Sequence, residues 1–516
     1  MQDRKWKEHL CHWIDYLSAR HSELNQRHYE TEDPALKQSM GMEVIKIERQ
    51  IKALQQVQYA AVRNPRLLFD FIQPSVPTRE INPISGLHYV LDLNDSQKHA
   101  VALALNESDL CLIQGPPGTG KTQVIAEICL QLYRRNPKVK ILVCAETHVA
   151  VNNLISRIGK YEKEIRMVRI RDKGEDEQLQ QYLPENIIKD YLEWLEQYCD
   201  DIDVKRAISE SMNTPFDLTL EKSLALSANV TGMTCNRLGA YYFESDTEYF
   251  DVVIIDEVCK ATLPEILMPL AVADKAILVG DPKQLPPVFC SEEIEVIQRL
   301  EHFDLQKLFY INDLFSICKH VMLDTQYRMV DEIGTMVSDL FYQGKLKNGR
   351  NETRNRSIVW IDYLPSHNWP DQITLKEGKP NLRNDNEIEI TLALLKKLDR
   401  SASDGTTVGI ITPYRHQKES IKERLDEYNA LKVEVDTVDG FQGRECDIVI
   451  FSVTRTTGSY RFLADDRRLN VAISRARNQL YMIGVKTYAE KQPLLNCILG
   501  KSDLQLYDIL SSSLDS

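Results

Sequence analysis

Gly115-Pro116-Pro117-Gly118-Thr119-Gly120-Lys121-Thr122 is the stretch whose reading decides the fold of this chain. It follows an apolar run, Leu110-Cys111-Leu112-Ile113, that reads as a buried strand. It precedes residues 123–130, where apolar side chains recur at helical spacing. Strand, glycine-rich loop and helix together wrap backbone N–H groups around phosphate oxygens and aim the positive end of the helix at them. Lys121 would reach the β- and γ-phosphates, and the Thr122 hydroxyl would sit on Mg²⁺. The loop therefore predicts a nucleoside triphosphate, ATP or GTP, with Mg²⁺. A chance Gly/Pro turn is the competing reading; it does not explain the strand before and the helix after.

Further strands end in chemistry. Val252-Val253-Ile254-Ile255 runs into Asp256-Glu257. Downstream of a phosphate loop, the Asp at that point would hold Mg²⁺. The Glu, expected to point the other way because side chains alternate along a strand, would orient and deprotonate the attacking water. Leu278-Val279 leads into Gly280-Asp281-Pro282-Lys283-Gln284-Leu285-Pro286-Pro287, where Gln284 suits a sensor of the γ-phosphate. An ordinary strand-to-loop turn is the bland alternative there. Three stretches in the second half add Gln326-Tyr327-Arg328-Met329, a two-glycine loop over 437–445, and a predicted helix over 470–477 carrying Arg475 and Arg477. Phosphoryl transfer gains most from a cation delivered to the γ-phosphate as charge develops, and Arg328 and Arg475 are the candidates. Taken singly, each is more often a surface ion-pair residue.

The 516 residues are 43% hydrophobic and 27% charged, which predicts several globular domains with real cores. No apolar stretch is long enough for a transmembrane helix, and the first residues lack the apolar core of a secretory signal, so a cytoplasmic protein without membrane partners is expected. Eleven scattered cysteines form no Cys-x-x-Cys pair and predict reduced thiols without a zinc site. A net charge of −13 argues, taken alone, against nucleic-acid binding, but a motor needs only a locally basic groove.

In chain order, residues 1–90 read as a helical hairpin, with helices over 3–28 and about 36–61 joined by a polar turn at 29–34, followed by a Pro-punctuated linker over 62–90 with one short strand. Residues 91–318 alternate strands and helices, interrupted by a charged, mostly helical insertion over about 160–228. A second α/β unit over 319–500 begins with the strand Val321-Met322-Leu323, and 501–516 reads as a C-terminal tail. The fold class is α/β, with parallel sheets in two tandem units.

Gln97, the 115–122 loop, residues 147–154, Asp256-Glu257, residues 280–287, residues 326–329, residues 439–445 and residues 471–477 stand in the order and spacing of superfamily 1 helicases. The Gln-Tyr-Arg-Met and Gly-Phe-Gln-Gly-Arg-Glu forms resemble the up-frameshift-type branch, superfamily 1B. The resemblance covers about residues 90–485 and implies two RecA-like P-loop domains with ATP between them. It implies that Gln97 reads the adenine edge, Tyr327 stacks on the base and Glu445 contacts the ribose. Gly115, Pro116, Pro117, Gly118, Thr119, Gly120, Lys121 and Thr122 would hold the phosphates, and Thr122 and Asp256 the Mg²⁺. Glu257 would be the base, and Gln284, Arg328 and Arg475 would surround the γ-phosphate. Single-stranded RNA or DNA would contact Thr147, His148 and Asn152 on one domain and Thr412, Pro413, Tyr414 and Thr437 on the other.

The family implies ATP-dependent translocation or unwinding, 5′→3′. Two rivals stand beside it: an ATP-switched module that clamps a strand or protein with little unwinding, and a ring-forming remodelling ATPase. The second leaves the arginine motifs of the second unit unexplained. Two departures bear on the choice. Lys260 replaces the polar uncharged residue usual after the Asp-Glu pair, and the 29–34 turn is too short for the β-barrel that relatives carry between stalk helices. The N-terminal helices read either as a docking surface for a protein partner or as a stalk that braces the first unit.

Overall fold

The computed structural model describes residues 2–59, 62–72, 87–106, 109–171, 177–198, 201, 218–242, 249–287, 310–318, 320–354, 356–364, 372–376, 379–458, 460, 462–508 and 513–514. The chain forms two units. The first comprises residues 1–115, 121–282 and 286–322, and the second comprises 323–516 together with the short pieces 116–120 and 283–285.

The first unit opens with helix α1 (Gln2–Glu30) and helix α2 (Pro34–Gln58), which pack along each other. Asp33 caps α2 by accepting from the Ala35 and Leu36 N–H groups, and Pro34 takes the first helical position, where its missing N–H costs nothing. Trp13, Leu17, Ile47 and Leu54 are buried in the hairpin core, at the helical spacing the sequence shows. Helix α3 (Pro65–Ile72) corrects the linker expected over 62–90. Asn64 caps it by accepting from the Arg66 and Leu67 N–H groups, and Pro65 again fills the first position, so Asn-Pro here starts a helix. The short strand expected there has no counterpart among the described residues of this stretch; residues 73–86 lie outside them.

The sheet of the first unit is parallel, in the order β3-β4-β2-β5-β6-β1-β7. Its strands are β1 (Leu110–Gln114), β2 (Ile141–Ala145), β3 (Met167–Arg169), β4 (Val230–Thr234), β5 (Phe250–Asp256), β6 (Ala273–Gly280) and β7 (Val321–Met322). The middle strands are near-continuous apolar runs because helices cover both faces. Among those helices are α4 (Asp95–Asn106), α5 (Lys121–Arg135) and α6 (His148–Gly159). Two edge strands correct the expected boundaries. β7 pairs with β1 and closes this sheet, so Val321-Met322 does not start the second unit. β3 pairs with β4, so the insertion expected from about 160 begins only after it. The helices Pro184–Tyr198 and Leu218–Ser227 supply its expected helical content; residues 172–176, 199–200 and 202–217 lie outside the described ones.

The second unit holds two small pairs, β8 (Thr325–Gln326) with β9 (Lys347–Asn348) and β11 (Gln372–Lys376) with β12 (Lys379–Arg383). Its main sheet runs β14-β13-β15-β16-β10-β17-β18. Those strands are β10 (Ile358–Tyr363), β13 (Thr406–Thr412), β14 (Leu431–Thr437), β15 (Cys446–Ser452), β16 (Ala476–Ile483), β17 (Asp503–Asp508) and β18 (Ser513–Leu514). All neighbours are parallel except β17 and β18. β17 corrects the tail expected over 501–516. Its Leu504 and Leu506 are exposed while Tyr507 is buried, so little in its composition announces a strand. The helix expected over 470–477 also ends early, as Asp466–Ile473, because β16 starts at Ala476 and the chain must turn at Ser474-Arg475. These are two RecA-like α/β domains. Among the described residues no helix is long and apolar enough to cross a membrane, and the nine cysteines are all free.

Candidate functional site

In the first unit β5, β6 and β1 lie side by side and end together, Ile255 opposite Leu278 and Gln114 opposite Gly280. Their carboxyl ends deliver Asp256-Glu257, Gly280-Asp281 and the start of the phosphate loop to one edge, where open α/β sheets bind ligands. Lys121 opens α5 and its Nζ donates to the Gly115 carbonyl at 3.0 Å. The same ammonium lies 3.3 Å from Glu257 Oε1. Burial opposes the charge on Lys121, yet Glu257, Asp256 and Asp281 outweigh it and hold its pKa above the ordinary value.

Asp256 behaves in the opposite way. Burial, reinforced by the neighbouring Glu257, pushes its carboxyl up to about 7, against the pull of Lys121. Glu257 does not follow the strand alternation expected of it. β5 stops at Asp256, and Glu257 adopts φ 52°, ψ 36°, with its N–H donating to Asp256 Oδ1 at 2.9 Å. A non-glycine residue in that region is a sign of strain held by its surroundings, and here it turns Glu257 towards Lys121. In the loop itself Gly118 and Gly120 have φ of 73° and 80°, which side-chain-bearing residues rarely adopt. Thr119 Oγ donates to the Pro116 carbonyl and is buried, whereas Thr122 is half-buried on the first turn of α5.

Gln97 is buried and closes a reciprocal cap on α4. Its Oε1 accepts from the Asn94 N–H and its own N–H donates to Asn94 Oδ1, both at 2.9 Å. Lys260, the departure from the family pattern, lies 3.3 Å from Glu146 at the end of β2. Burial pushes the Glu146 carboxyl up, and Lys260 pulls it back. Lys260→Gln should therefore lower stability by about 1 kcal/mol, because it leaves a half-buried carboxylate without its cation. Thermal unfolding of the single and double variants with Glu146→Gln checks this: the double variant should lose less than the sum. Strictly additive losses would mean that the pair contributes nothing. A second buried acid, Glu265, ties the hairpin to the rest of this unit through Lys46 of α2 at 3.3 Å, and it also accepts from Asn236 at 2.8 Å.

The residues expected to contact the strand from the first unit sit where β2 passes into α6. Thr147 is the N-cap of α6, its Oγ accepting from the Ala150 N–H. His148 and Asn152 stand one turn apart on α6, and both meet the buried guanidinium of Arg169 at the end of β3. No motif of the sequence marks Arg169; its one signal is a cation inside the otherwise apolar Met167-Val168-Arg169-Ile170.

In the second unit Arg475 is buried in the turn before β16. Its Nη2 donates to Gln284 Oε1 at 3.1 Å, its Nε to the Val471 carbonyl at 3.0 Å and its Nη1 to the Arg444 carbonyl at 3.3 Å. Arg328 is held differently, by Glu445 at 2.5 Å and the Ser474 carbonyl at 3.1 Å. Glu445 also pairs with Arg477, and although burial works against its charge, the two guanidinium groups hold its carboxyl below the ordinary range. Tyr327 is exposed. Of the four strand contacts expected here, Tyr414 and Thr437 are partly open, but Thr412 and Pro413 are buried. The Thr412 hydroxyl turns inward to Thr454 Oγ at 3.1 Å because it sits on the last residue of a central strand, which corrects its expected side-chain contact.

Two family models, each described as an AAA domain, match residues 92–214 and 195–292 in one case and 305–487 in the other. The Saccharomyces cerevisiae DNA polymerase alpha-associated DNA helicase A is 30% identical over 449 residues, which take in 76% of this chain and 65% of that protein. An uncharacterized ATP-dependent helicase of Methanocaldococcus jannaschii is 29% identical over 501 residues, 82% of this chain and 72% of the relative. The Arabidopsis thaliana regulator of nonsense transcripts 1 homolog is 31% identical over 441 residues, 80% of this chain but 34% of the relative. The chain thus spans less than two thirds of the yeast protein and about a third of the plant one. With these matches laid over the motif order and the two RecA-like units, the chain belongs to the up-frameshift-type branch of superfamily 1 helicases, superfamily 1B.

Proposed function

We propose that this chain is an ATP-dependent helicase or translocase that acts on single-stranded nucleic acid and moves 5′→3′. The observation that carries the reading is the meeting of Lys121, Asp256 and Glu257 at the carboxyl edge of the first sheet, in a chain of a helicase family. ATP would lie with its phosphates on residues 115–122, its adenine against Gln97 and Tyr327 and its ribose at Glu445. The donors present fit a hard divalent cation, since the Thr122 hydroxyl and the Asp256 carboxyl both offer oxygen. Mg²⁺, when bound there, supplies charge neutralisation for the phosphates. Lys121 holds the β- and γ-phosphates, Glu257 takes the proton of the attacking water at its carboxylate, and Gln284, Arg328 and Arg475 meet the charge that develops on the γ-phosphate.

The strand would cross Thr147, His148 and Asn152 on one unit and Pro413, Tyr414 and Thr437 on the other, with backbone groups serving where Thr412 is buried. Contacts of this kind grip phosphates without reading sequence. One relative is called a DNA helicase and another a regulator of nonsense transcripts, so both polymers belong in the test. A cytoplasmic setting and a protein partner at the hairpin are part of the same proposal; Met42 and Ile45 are exposed on α2 and would form the docking face.

Steady-state ATP hydrolysis without polymer, with poly-RNA and with single-stranded DNA, at low and moderate salt, tests the reading. Strong stimulation by one polymer is expected and names the substrate. No stimulation by either, with ATP still bound, would overturn the motor and leave a nucleotide-gated clamp.

A further inference from the structure

We infer that Arg169 is a positioning residue for strand binding: it fixes His148 and Asn152 as hydrogen-bond donors towards phosphate. The inference rests on the proposed strand path and adds a residue to it. Arg169 is about 1% exposed, at the end of β3. Its Nε donates to Asn152 Oδ1 at 2.8 Å, and its Nη2 donates to His148 Nδ1 at 3.0 Å. Its Nη1 donates to the Ile170 carbonyl and, at 3.3 Å, to the Gly232 carbonyl. Those carbonyls lock the guanidinium to the sheet edge, so its remaining N–H groups have fixed directions.

A guanidinium has only donors and does not lose its proton in a protein. Two consequences follow for the residues it touches. His148 Nδ1 must accept, so the ring proton of the neutral form sits on Nε2. Asn152 must turn its oxygen to Arg169, which sets the opposite, NH₂ side of the amide as the donor edge. Residues 148 and 152 are four apart on one helix and so share a face. His148 is exposed and Asn152 half-buried on that face. Both acceptor ends point at one buried cation, and both donor ends have the polarity a phosphate oxygen requires. An aspartate at 152 would satisfy Arg169 equally well, or better, yet would replace the donor edge by a second carboxylate oxygen.

Asn152→Asp is therefore the decisive variant, since Arg169→Gln removes a buried group and risks the fold. Binding of fluorescent oligo-dT and oligo-U by anisotropy is measured beside thermal unfolding, for the full chain. The expected result is an affinity loss of about tenfold with a melting temperature at or above the parent's. Nitrogen-15 spectra of histidine-labelled protein should show the His148 proton on Nε2. Unchanged affinity in Asn152→Asp, or a His148 proton on Nδ1, overturns the inference. If the parent binds neither oligonucleotide, the strand-binding function falls, while the His148 tautomer still decides whether Arg169 sets the donor pattern.

Discussion

Glu257→Gln is expected to reduce ATP turnover by about a thousandfold while leaving ATP bound at least as well as in the parent. The change keeps the shape of the side chain and removes only its ability to accept a proton. Glu257 is held by an unusual backbone conformation, φ 52°, and by Lys121 at 3.3 Å, so an amide of the same size should stay in place. Binding should not suffer, because Glu257 is one of the charges that pushes the Asp256 carboxyl up. Removing it makes the Asp256 anion easier to form and the edge less repulsive to phosphates. Lys121→Ala should lose turnover to a similar degree but for a different reason, and ATP affinity should fall with it. That substitution takes away the cation facing the phosphates and leaves Asp256, Glu257 and Asp281 without the charge that balances them. Single-turnover hydrolysis and equilibrium binding of a fluorescent ATP analogue separate the two outcomes. Normal turnover in Glu257→Gln would remove Glu257 as the base, and unchanged ATP affinity in Lys121→Ala would remove Lys121 from the phosphates.

The contrast between these residues and others shows what a sequence exposes. The 115–122 loop, Asp256-Glu257 and the strand leading to each were legible because phosphate chemistry needs several residue types in one contiguous order. Parallel sheets were legible from strands alternating with helices, but their order was not. It depends on pairings such as β1 with β7, more than two hundred residues apart in the chain. Short edge strands escaped for a related reason: β3 and β7 span three and two residues, and their identity comes from the neighbour they pair with. The left-handed turn at Glu257 is invisible in a residue type that rarely adopts it. Arg169 was passed over because nothing nearby in sequence says that a cation in a strand will meet two polar residues of a helix. The burial of Thr412 could not be read either, since its hydroxyl is satisfied by Thr454, 42 residues on.

Arg475 separates from Arg328 on the same grounds. Both were candidates for the cation that meets the γ-phosphate, and the structure holds them in different ways. Arg328 is tied to the Glu445 carboxylate at 2.5 Å, which Arg477 shares, so much of its charge is already answered. Arg475 donates to the Val471 and Arg444 carbonyls and to the Gln284 carboxamide oxygen, and these bonds fix the direction of its guanidinium. A buried guanidinium held this way keeps its attraction for an anion that gains charge during reaction. Arg475→Ala should therefore slow hydrolysis by about a thousandfold or more and change ATP affinity by only a few-fold, the signature of a contact made chiefly in the transition state. Arg475→Lys should recover little, because an ammonium cannot keep the Gln284 and carbonyl bonds that set the direction. Single-turnover hydrolysis with saturating ATP, alongside equilibrium binding, measures both quantities. Equal losses in rate and affinity would place Arg475 among the ground-state contacts, and the larger rate effect would then have to be sought at Arg328, whose release from Glu445 on nucleotide binding would become the step to measure.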